Sequence, residues 1–376
     1  MTQKIQSTRS IGPESFLVRR ILALVVLVFA VALLSAGWSL ASAIFTPVND
    51  PISAKIAEWA RGHGMGSVVT GLESLQYRLN PPKVGGTPSA SLLTSSPRSS
   101  HFLQRALAPL VVPSLPNEGK FKSIVASHGI PVVEVAYLRP DLLHTSYLSA
   151  VVWMSGKHTR LELHPGLTDP GKLSLWSQGP RIVNSKATGL MAAFNGGFKL
   201  KDARGGYFEN GHTIGTLTPN AASLVVYRNG TTDIGAWGRD LTMTQDVVSV
   251  RQNLQLLIAN GQLSTNLDAA VKANWGTTVG ATTNVWRSGI GITASGDLVY
   301  AAGDALSART LARLLFRAGS VRAMQLDINK SWVSFMWFKS RAGTDLLTPH
   351  KILNFQRPAN RYFSPTSRDF FAAYFR

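Results

Sequence analysis

The hydrophobic pattern opens with one long apolar block. Ile21 to Leu34 is continuously apolar, and no charged residue occurs between Ile21 and Asn49. Coiled as a helix, Ile21 to Phe45 would be about 37 Å long, enough to cross a hydrocarbon core of about 30 Å with tilt. Arg19 and Arg20 flank the block on its N-terminal side, with Lys4 and Arg9 further out, and Asp50 follows it. The positive-inside rule therefore places residues 1–20 in the cytoplasm and everything after Phe45 outside. Ala41-Ser42-Ala43 also resembles a small-residue cleavage site, so a cleaved signal peptide is the alternative to an uncleaved anchor. Both readings export the rest of the chain. No later stretch approaches 18 apolar residues, which leaves a single pass at most.

Past the anchor the period changes. Ile56, Trp59 and Ala60, then Leu72, Leu75 and Leu79, recur at spacings of three and four, predicting helix over Pro51 to Leu79. Arg61-Gly-His-Gly-Met-Gly66 interrupts it and reads as a hinge, since its glycines complete neither a dinucleotide fingerprint nor a Walker loop. Asn80 to Ser100 is rich in Pro, Gly and Ser and reads as a linker.

From about Lys120 the runs become short and strand-like. Tyr147 to Met154, Thr159 to Leu163, Leu190 to Phe194 and Ser223 to Tyr227 are separated by Gly, Pro, Asn or Asp clusters. Asn229-Gly230 predicts one hairpin, and Ser295-Gly296-Asp297, between Ile290 to Thr293 and Leu298 to Ala301, predicts another. Gly289, Gly291 and Ala294 formally fit a dinucleotide fingerprint but precede a turn where that motif requires a helix. Ser307 caps one clear helix, with Leu311, Leu314, Leu315 and Ala318 as its apolar stripe and Gly319 as its stop. Buried strands follow at Ala323 to Ile328 and Trp332 to Phe338. The expected class is α+β: an N-terminal single transmembrane helix, then a β-rich mixed exported domain with a few packed helices. Its expected organisation is a cytoplasmic tail (1–20), an anchor (21–45), a helical segment and linker (46–119) and one domain over 120–376.

Composition narrows the chemistry. In 376 residues, hydrophobic types make up 45% and charged types 15%, too apolar and weakly charged for disorder. The net charge is +18, and the part after Phe45, with 34 basic against 19 acidic residues, retains +15 of it. That favours an anionic partner, and outside a membrane an envelope glycan fits better than nucleic acid, for which no RNP, KH or zinc motif is present. There is no cysteine, which excludes disulfides, thiolate metal sites and thiol nucleophiles. No GxSxG elbow, SxxK pair or HExxH pair occurs. Asp327-x-Asn329-x-Ser331 starts like a calcium loop, but Trp332 stands where Gly is required and Phe338 where the bidentate Glu belongs. No metal and no cofactor is expected; calcium in another geometry stays open.

Three clusters remain, each at the end of a predicted strand. Phe194-Asn195-Gly196-Gly197-Phe198 pairs an amide side chain with two glycines whose backbone a ligand could approach; the competing reading is a turn. In Trp286-Arg287-Ser288-Gly289 the Arg fork suits a phosphate, or is merely solvated. Gln325-Leu326-Asp327-Ile328-Asn329-Lys330-Ser331 puts an acid where an apolar strand ends, and such an acid is also an ordinary cap.

In this order and spacing the clusters resemble the phosphodiester glycosidase family, over roughly Leu190 to Phe338. Asn195-Gly196-Gly197-Phe198 is similar to its Asn-Gly-Gly-Phe signature, Arg287-Ser288-Gly289-Ile290-Gly291 to its Arg-Thr-Ala-Ile-Gly strand, and Leu326-Asp327 through Ser331 to its Leu-Asp-Gly-Gly-Gly-Ser segment. Ile328, Asn329 and Lys330 replace that segment's three glycines, and β-branched Ile328 cannot take up glycine conformations cheaply. The resemblance implies hydrolysis of a sugar-1-phosphodiester, in which phosphate leaves readily and one carboxylate plus basic donors suffices. It implies Asp327 as nucleophile or general base, Arg287 on the phosphate with Lys330 adding charge, and Asn195 with the Gly196 and Gly197 amides orienting the sugar. Asn329, Ser331 and His212 are further substrate-binding candidates. Asp202 and Glu209 are candidates for a second carboxylate, and Trp275, Trp286 and Trp332 for stacking on sugar or for the core. The alternative is a noncatalytic anchored module binding phosphorylated or anionic glycan through the same cleft.

Overall fold

The computed structural model describes residues 13–48, 50–93, 104–183, 187–268, 272–276, 283–340 and 346–376. The first part of the expected tail (1–12) and the end of the expected linker (94–100) lie outside the described residues.

Helix α1 (Pro13–Phe45) contains an apolar span, Leu17–Phe45, long enough to cross a membrane. Its proline occupies the first turn, where a missing N–H costs nothing. Helix α2 (Ile52–Gly62) belongs to the same compact unit, and its Lys55 ammonium donates to the Ile44 and Thr46 carbonyls at 2.8 Å, satisfying groups that the end of α1 leaves open. The glycine run does break the helical stretch: α2 stops at Gly62 and α3 (Gly66–Leu79) starts anew, with Gly64 at φ +80 between them.

The second compact unit, residues 48–51 and 67–376, is built from three antiparallel sheets. The largest has the order β1 (Lys122–Ser127), β2 (Ile130–Leu138), β3 (Ser149–Met154), β14 (Leu298–Leu306), β13 (Val285–Thr293), β15 (Ser320–Gln325), β11 (Leu256–Ala259), β12 (Gln262–Leu263). The second has the order β17 (Leu347–Lys351), β16 (Phe335–Ser340), β5 (Leu190–Asn195), β18 (Phe370–Phe375), β4 (Thr159–His164). The third has the order β7 (His212–Ile214), β6 (Tyr207–Glu209), β10 (Val247–Gln252), β8 (Ala222–Tyr227), β9 (Thr232–Ala236). Short helices α4 (Leu200–Ala203) and α5 (Lys272–Trp275) lie in connections, and α6 (Ala308–Arg317) is the helix expected from its cap. The Ser307 side chain accepts from the Thr310 N–H, as an N-cap should.

Alternation along β13, β14 and β15 sorts their residues to two cores. Ile290, Ile292, Tyr300 and Met324 face Phe194, Phe335 and Phe371 of the five-stranded β17–β4 sheet, forming the main interior. Val299, Ala301 and Ala323 point the other way and are covered by Leu311, Leu314 and Leu315 of α6. Both hairpins form as expected, β8 with β9 and β13 with β14. Two strands differ from the apolar pattern. β15 stops at Gln325 because the Asp327 carboxylate captures the Ile328 and Asn329 amides at 2.7 and 2.9 Å and turns the chain. β16 starts at Phe335 because the Trp332 and Val333 amides both donate to the Asn329 carbonyl.

Candidate functional site

The ends of β5, β13 and β15 meet, and Ser288 joins them. Its hydroxyl lies 3.1 Å from Asn195 Nδ2 and accepts the Asp327 amide at 3.2 Å, while its own amide donates to the Asp327 carbonyl at 2.8 Å. Asn195 is buried, and its Oδ1 accepts from Tyr300 Oη at 3.1 Å and from the Ser334 amide at 3.1 Å. Beneath it Phe194 stacks on Phe335 and Phe371, so the amide is held by a rigid aromatic layer.

Asp327 is 2% exposed. Burial pushes its carboxyl up to about 6, against the opposing pull of the Arg368 charge and the two amides. Arg368 Nη1 stands 3.6 Å from Asp327 Oδ2, and its guanidinium lies 4.5 Å from the Trp332 ring centre. Arg357 lies over the same ring at 4.6 Å and pairs with Asp50 at 2.8 Å.

Next to Arg368 in sequence, Asp369 anchors a second buried pair. Its Oδ2 accepts from Arg251 Nε at 2.7 Å, with both side chains almost fully buried. Arg251 also donates to the Gln252 and Phe198 carbonyls. Burial pulls the Arg251 guanidinium down, but the Asp369 charge and hydrogen bond outweigh it and hold it above its ordinary value. Burial pushes the Asp169 carboxyl up, against the pull of Arg251. Burial, with the Arg368 and Lys201 charges, lowers the Lys199 ammonium to about 8.

This arrangement explains the two glycines differently from a ligand cradle. A Cβ at Gly196 would collide with the Asp369 carboxylate, and one at Gly197 would sit 3.1 Å from Arg251 Cζ. The Gly196 amide donates to the Asp369 carbonyl. The pair is thus a packing surface for an ion pair, bridged to β15 by Asn253, whose Nδ2 donates to the Gln325 and Leu326 carbonyls at 2.7 and 2.9 Å.

Arg287 does not join Ser288 and Asp327. Adjacent strand positions face opposite sides, and its fork is taken up by Leu306 O at 2.8 Å, Gln325 Oε1 at 2.7 Å, Thr283 O and Trp275 O. At 3% exposure it ties strands together and does not present a fork to a phosphate. Ile328 packs with Phe198, Ala203 and Leu254, so the position read as a lost glycine contributes to a small apolar cluster. Asn329 Oδ1 accepts the Ser331 amide, and Ser331 Oγ donates to Gln356. Lys330 is exposed, as is His212, which lies opposite Glu209 on β7 in the third sheet. Asp202 is exposed on α4, and Glu209 is bonded to Ser177. Trp275 and Trp332 are buried, and Trp286 is partly packed into the main core. Among the described residues no three His, Asp or Glu side chains form a group that could hold a metal ion.

Residues 188–327 match the phosphodiester glycosidase family. The matched stretch holds Asn195, Ser288 and Asp327 and stops short of Arg368 and Asp369. No curated protein matches the chain. Among solved structures it is similar to the catalytic domain of zebrafish N-acetylglucosamine-1-phosphodiester alpha-N-acetylglucosaminidase, auto-inhibited by its pro-peptide, at 14% identity and TM-score 0.41, covering 76% of this chain and 99% of that one. It is also similar to a hypothetical protein from Synechocystis, at 13% identity and TM-score 0.35, covering 68% of this chain and 64% of that one. A third, described as exported, is from Burkholderia pseudomallei, at 11% identity and TM-score 0.32, covering 61% of this chain and 74% of that one.

The residues that the motifs did not reveal are Ser288, Arg251, Arg368 and Asp369. The last two had a signal: Ser367-Arg368-Asp369 is a charged step immediately before the wholly apolar run Phe370 to Phe375. An arginine–aspartate pair entering a buried strand must find partners inside.

Proposed function

We propose that this protein is a membrane-anchored extracytoplasmic glycosidase that hydrolyses a sugar-1-phosphodiester in an envelope glycan. The phosphodiester glycosidase match supports the reaction class. The observation that carries the reading is the convergence of Asn195, Ser288 and Asp327 from three strand ends, with Arg368 beside the carboxylate. Asp327 acts at the anomeric carbon as nucleophile or general base, its orientation fixed by the Ile328 and Asn329 amides on Oδ1. Arg368, in the role expected of Arg287, faces the phosphate as negative charge develops on the departing oxygen, and Lys199 adds positive charge nearby. Asn195 and Arg287 position the strand ends. The long apolar helix, with basic residues before it, supports a membrane-directed N-terminus with the main domain outside.

Full-length protein in detergent, supplied with a panel of sugar-1-phosphodiesters, should release free sugar. Asp327→Asn should abolish that release while leaving the thermal midpoint within a few degrees.

The second reading is a noncatalytic anchored module. It is favoured by the near-complete burial of Asp327 and by Ile328 filling space where the family has glycine. Salt-sensitive binding of a phosphorylated glycan, with no turnover of any diester, would select it.

A further inference from the structure

The β13–β14 hairpin carries one irregularity, and it lies beside the candidate site. Val285 pairs with Leu306 and Arg287 with Gly303, so two steps on β13 are matched by three on β14. The extra residue falls at Asp304-Ala305. Ala305 is forced to φ +57, a left-handed conformation that a Cβ resists, although it is completely buried. Its amide is thereby turned onto Asp304 Oδ1 at 2.8 Å. A bulge of this kind re-aims a side chain, and here it aims a carboxylate. Asp304 receives a hydrogen bond from the Trp286 side chain and lies within the field of Lys330 and His144. His144 is itself held by Asp141 at 3.0 Å and Asn284 at 3.4 Å.

Position relates this carboxylate to Asp327. Trp286 and Ser288 alternate onto the same face of β13, the face from which Ser288 holds Asn195 and Asp327. Gly303 and Asp327 flank β13 from opposite sides, two strand spacings or about 10 Å apart. Lys330, on the loop that starts at Asp327, bears on Asp304. A pyranose ring with its anomeric carbon at one carboxylate places its far hydroxyls near the other.

We propose that Asp304 is the sugar-reading carboxylate of this site, accepting hydrogen bonds from a pair of adjacent ring hydroxyls of the glycosyl group, with Trp286 orienting it and Lys330 closing the rim. This rests on the glycosidase reading and adds a substrate class to it: a pyranosyl phosphodiester with two neighbouring hydroxyls free. The bond cleaved is unchanged, the sugar C1–O bond, with water adding to carbon and the phosphate monoester departing.

The test measures kcat and KM of full-length wild type, Asp304→Asn and Trp286→Phe on methyl phosphodiesters of glucose, galactose, mannose and N-acetylglucosamine. Asp304→Asn is expected to raise KM at least tenfold with kcat changed less than threefold, and to flatten the preference among the four sugars. Trp286→Phe, which removes the N–H donor together with part of the ring that packs on Phe355, should raise KM at least about threefold in the same direction. Inhibition by inorganic phosphate should be unchanged in both, because the phosphate end lies at Arg368. A loss confined to kcat, an unchanged sugar preference, or an equal weakening of phosphate inhibition overturns the proposal. If wild type turns over none of the four, the glycosidase reading fails separately. Calorimetric binding of the same diesters then decides: binding weakened tenfold by Asp304→Asn supports the sugar subsite, and binding unaffected or absent overturns it.

Discussion

Arg251 and Asp369 form an ion pair at 2.7 Å with side-chain exposures of 1% and 0%, and the two glycines of Asn195-Gly196-Gly197-Phe198 lie directly against it. The pair is 118 residues apart in sequence and joins the third sheet, through β10, to the start of β18. A charge so deeply buried is stable only while its partner remains.

Removing one member of this pair should therefore be far more damaging than its distance from Asp327 suggests. Asp369→Ala or Arg251→Ala is expected to cost about 3–5 kcal/mol. Gly196→Ala, which pushes a methyl into the carboxylate, should cost about 1–3 kcal/mol through overpacking. Denaturant unfolding of the full-length protein measures all three. Gly196→Ala at wild-type stability would show that the carboxylate has room to move aside.

The pH dependence of folding carries a signature of Asp327. Its folded carboxyl lies at about 6, above the ordinary 3.8, so the folded state holds the proton more tightly than the unfolded chain. Its contribution is fully present below about pH 4 and is lost as pH rises to about 6, amounting to at most about 3 kcal/mol. Asp327→Asn should flatten the stability curve across that window. If Asp327 acts ionised, activity should rise through the same region, and a profile flat from pH 4.5 to 7 would argue against that role.

Arg368 opposes the upward shift of Asp327. Arg368→Gln should move the acidic limb of the activity profile to higher pH and lower kcat by about 10²-fold or more, the scale of losing one charge-stabilising donor. Arg368→Lys should recover only part of this, because an ammonium does not reproduce a planar group lying over Trp332. Full recovery by Lys would reduce the role to simple charge.

Ile328 offers a test of how far this site differs from the phosphodiester glycosidases it resembles. Ile328→Gly introduces the glycine that the resemblance implies there but removes contacts with Phe198, Ala203 and Leu254. It should destabilise the fold by roughly 2–4 kcal/mol. Turnover that increases despite that loss would identify Ile328 as a brake on access to Asp327.

Much of the fold was readable because local rules decided it. The β13–β14 hairpin, the Ser307 cap and the glycine break between α2 and α3 follow from turn chemistry and period, and the structure has all three. Strand ends were less legible: β15 stops three residues before the apolar pattern does, since a single carboxylate captures two amides. At the site, the expectation named Asn195, Arg287 and Asp327 together; in the structure Ser288 contacts Asn195 and Asp327, while the Arg287 guanidinium bonds Leu306 and Gln325. Alternation says that these two face opposite sides and does not say which side meets the other sheet.

The sequence by itself determined the apolar N-terminal helix, the β-rich body, the basic charge and the order of the three motif segments, because each depends on residues near one another along the chain. Only the tertiary structure decided that Ser288 contacts both Asn195 and Asp327, that the Arg287 guanidinium bonds Leu306 and Gln325, and that Arg368, just before the last strand, comes beside Asp327. Those outcomes depend on which face of a strand is buried and on which distant charge neutralises a buried one. Desolvation enforces such choices in three dimensions, and spacing along the chain does not encode them.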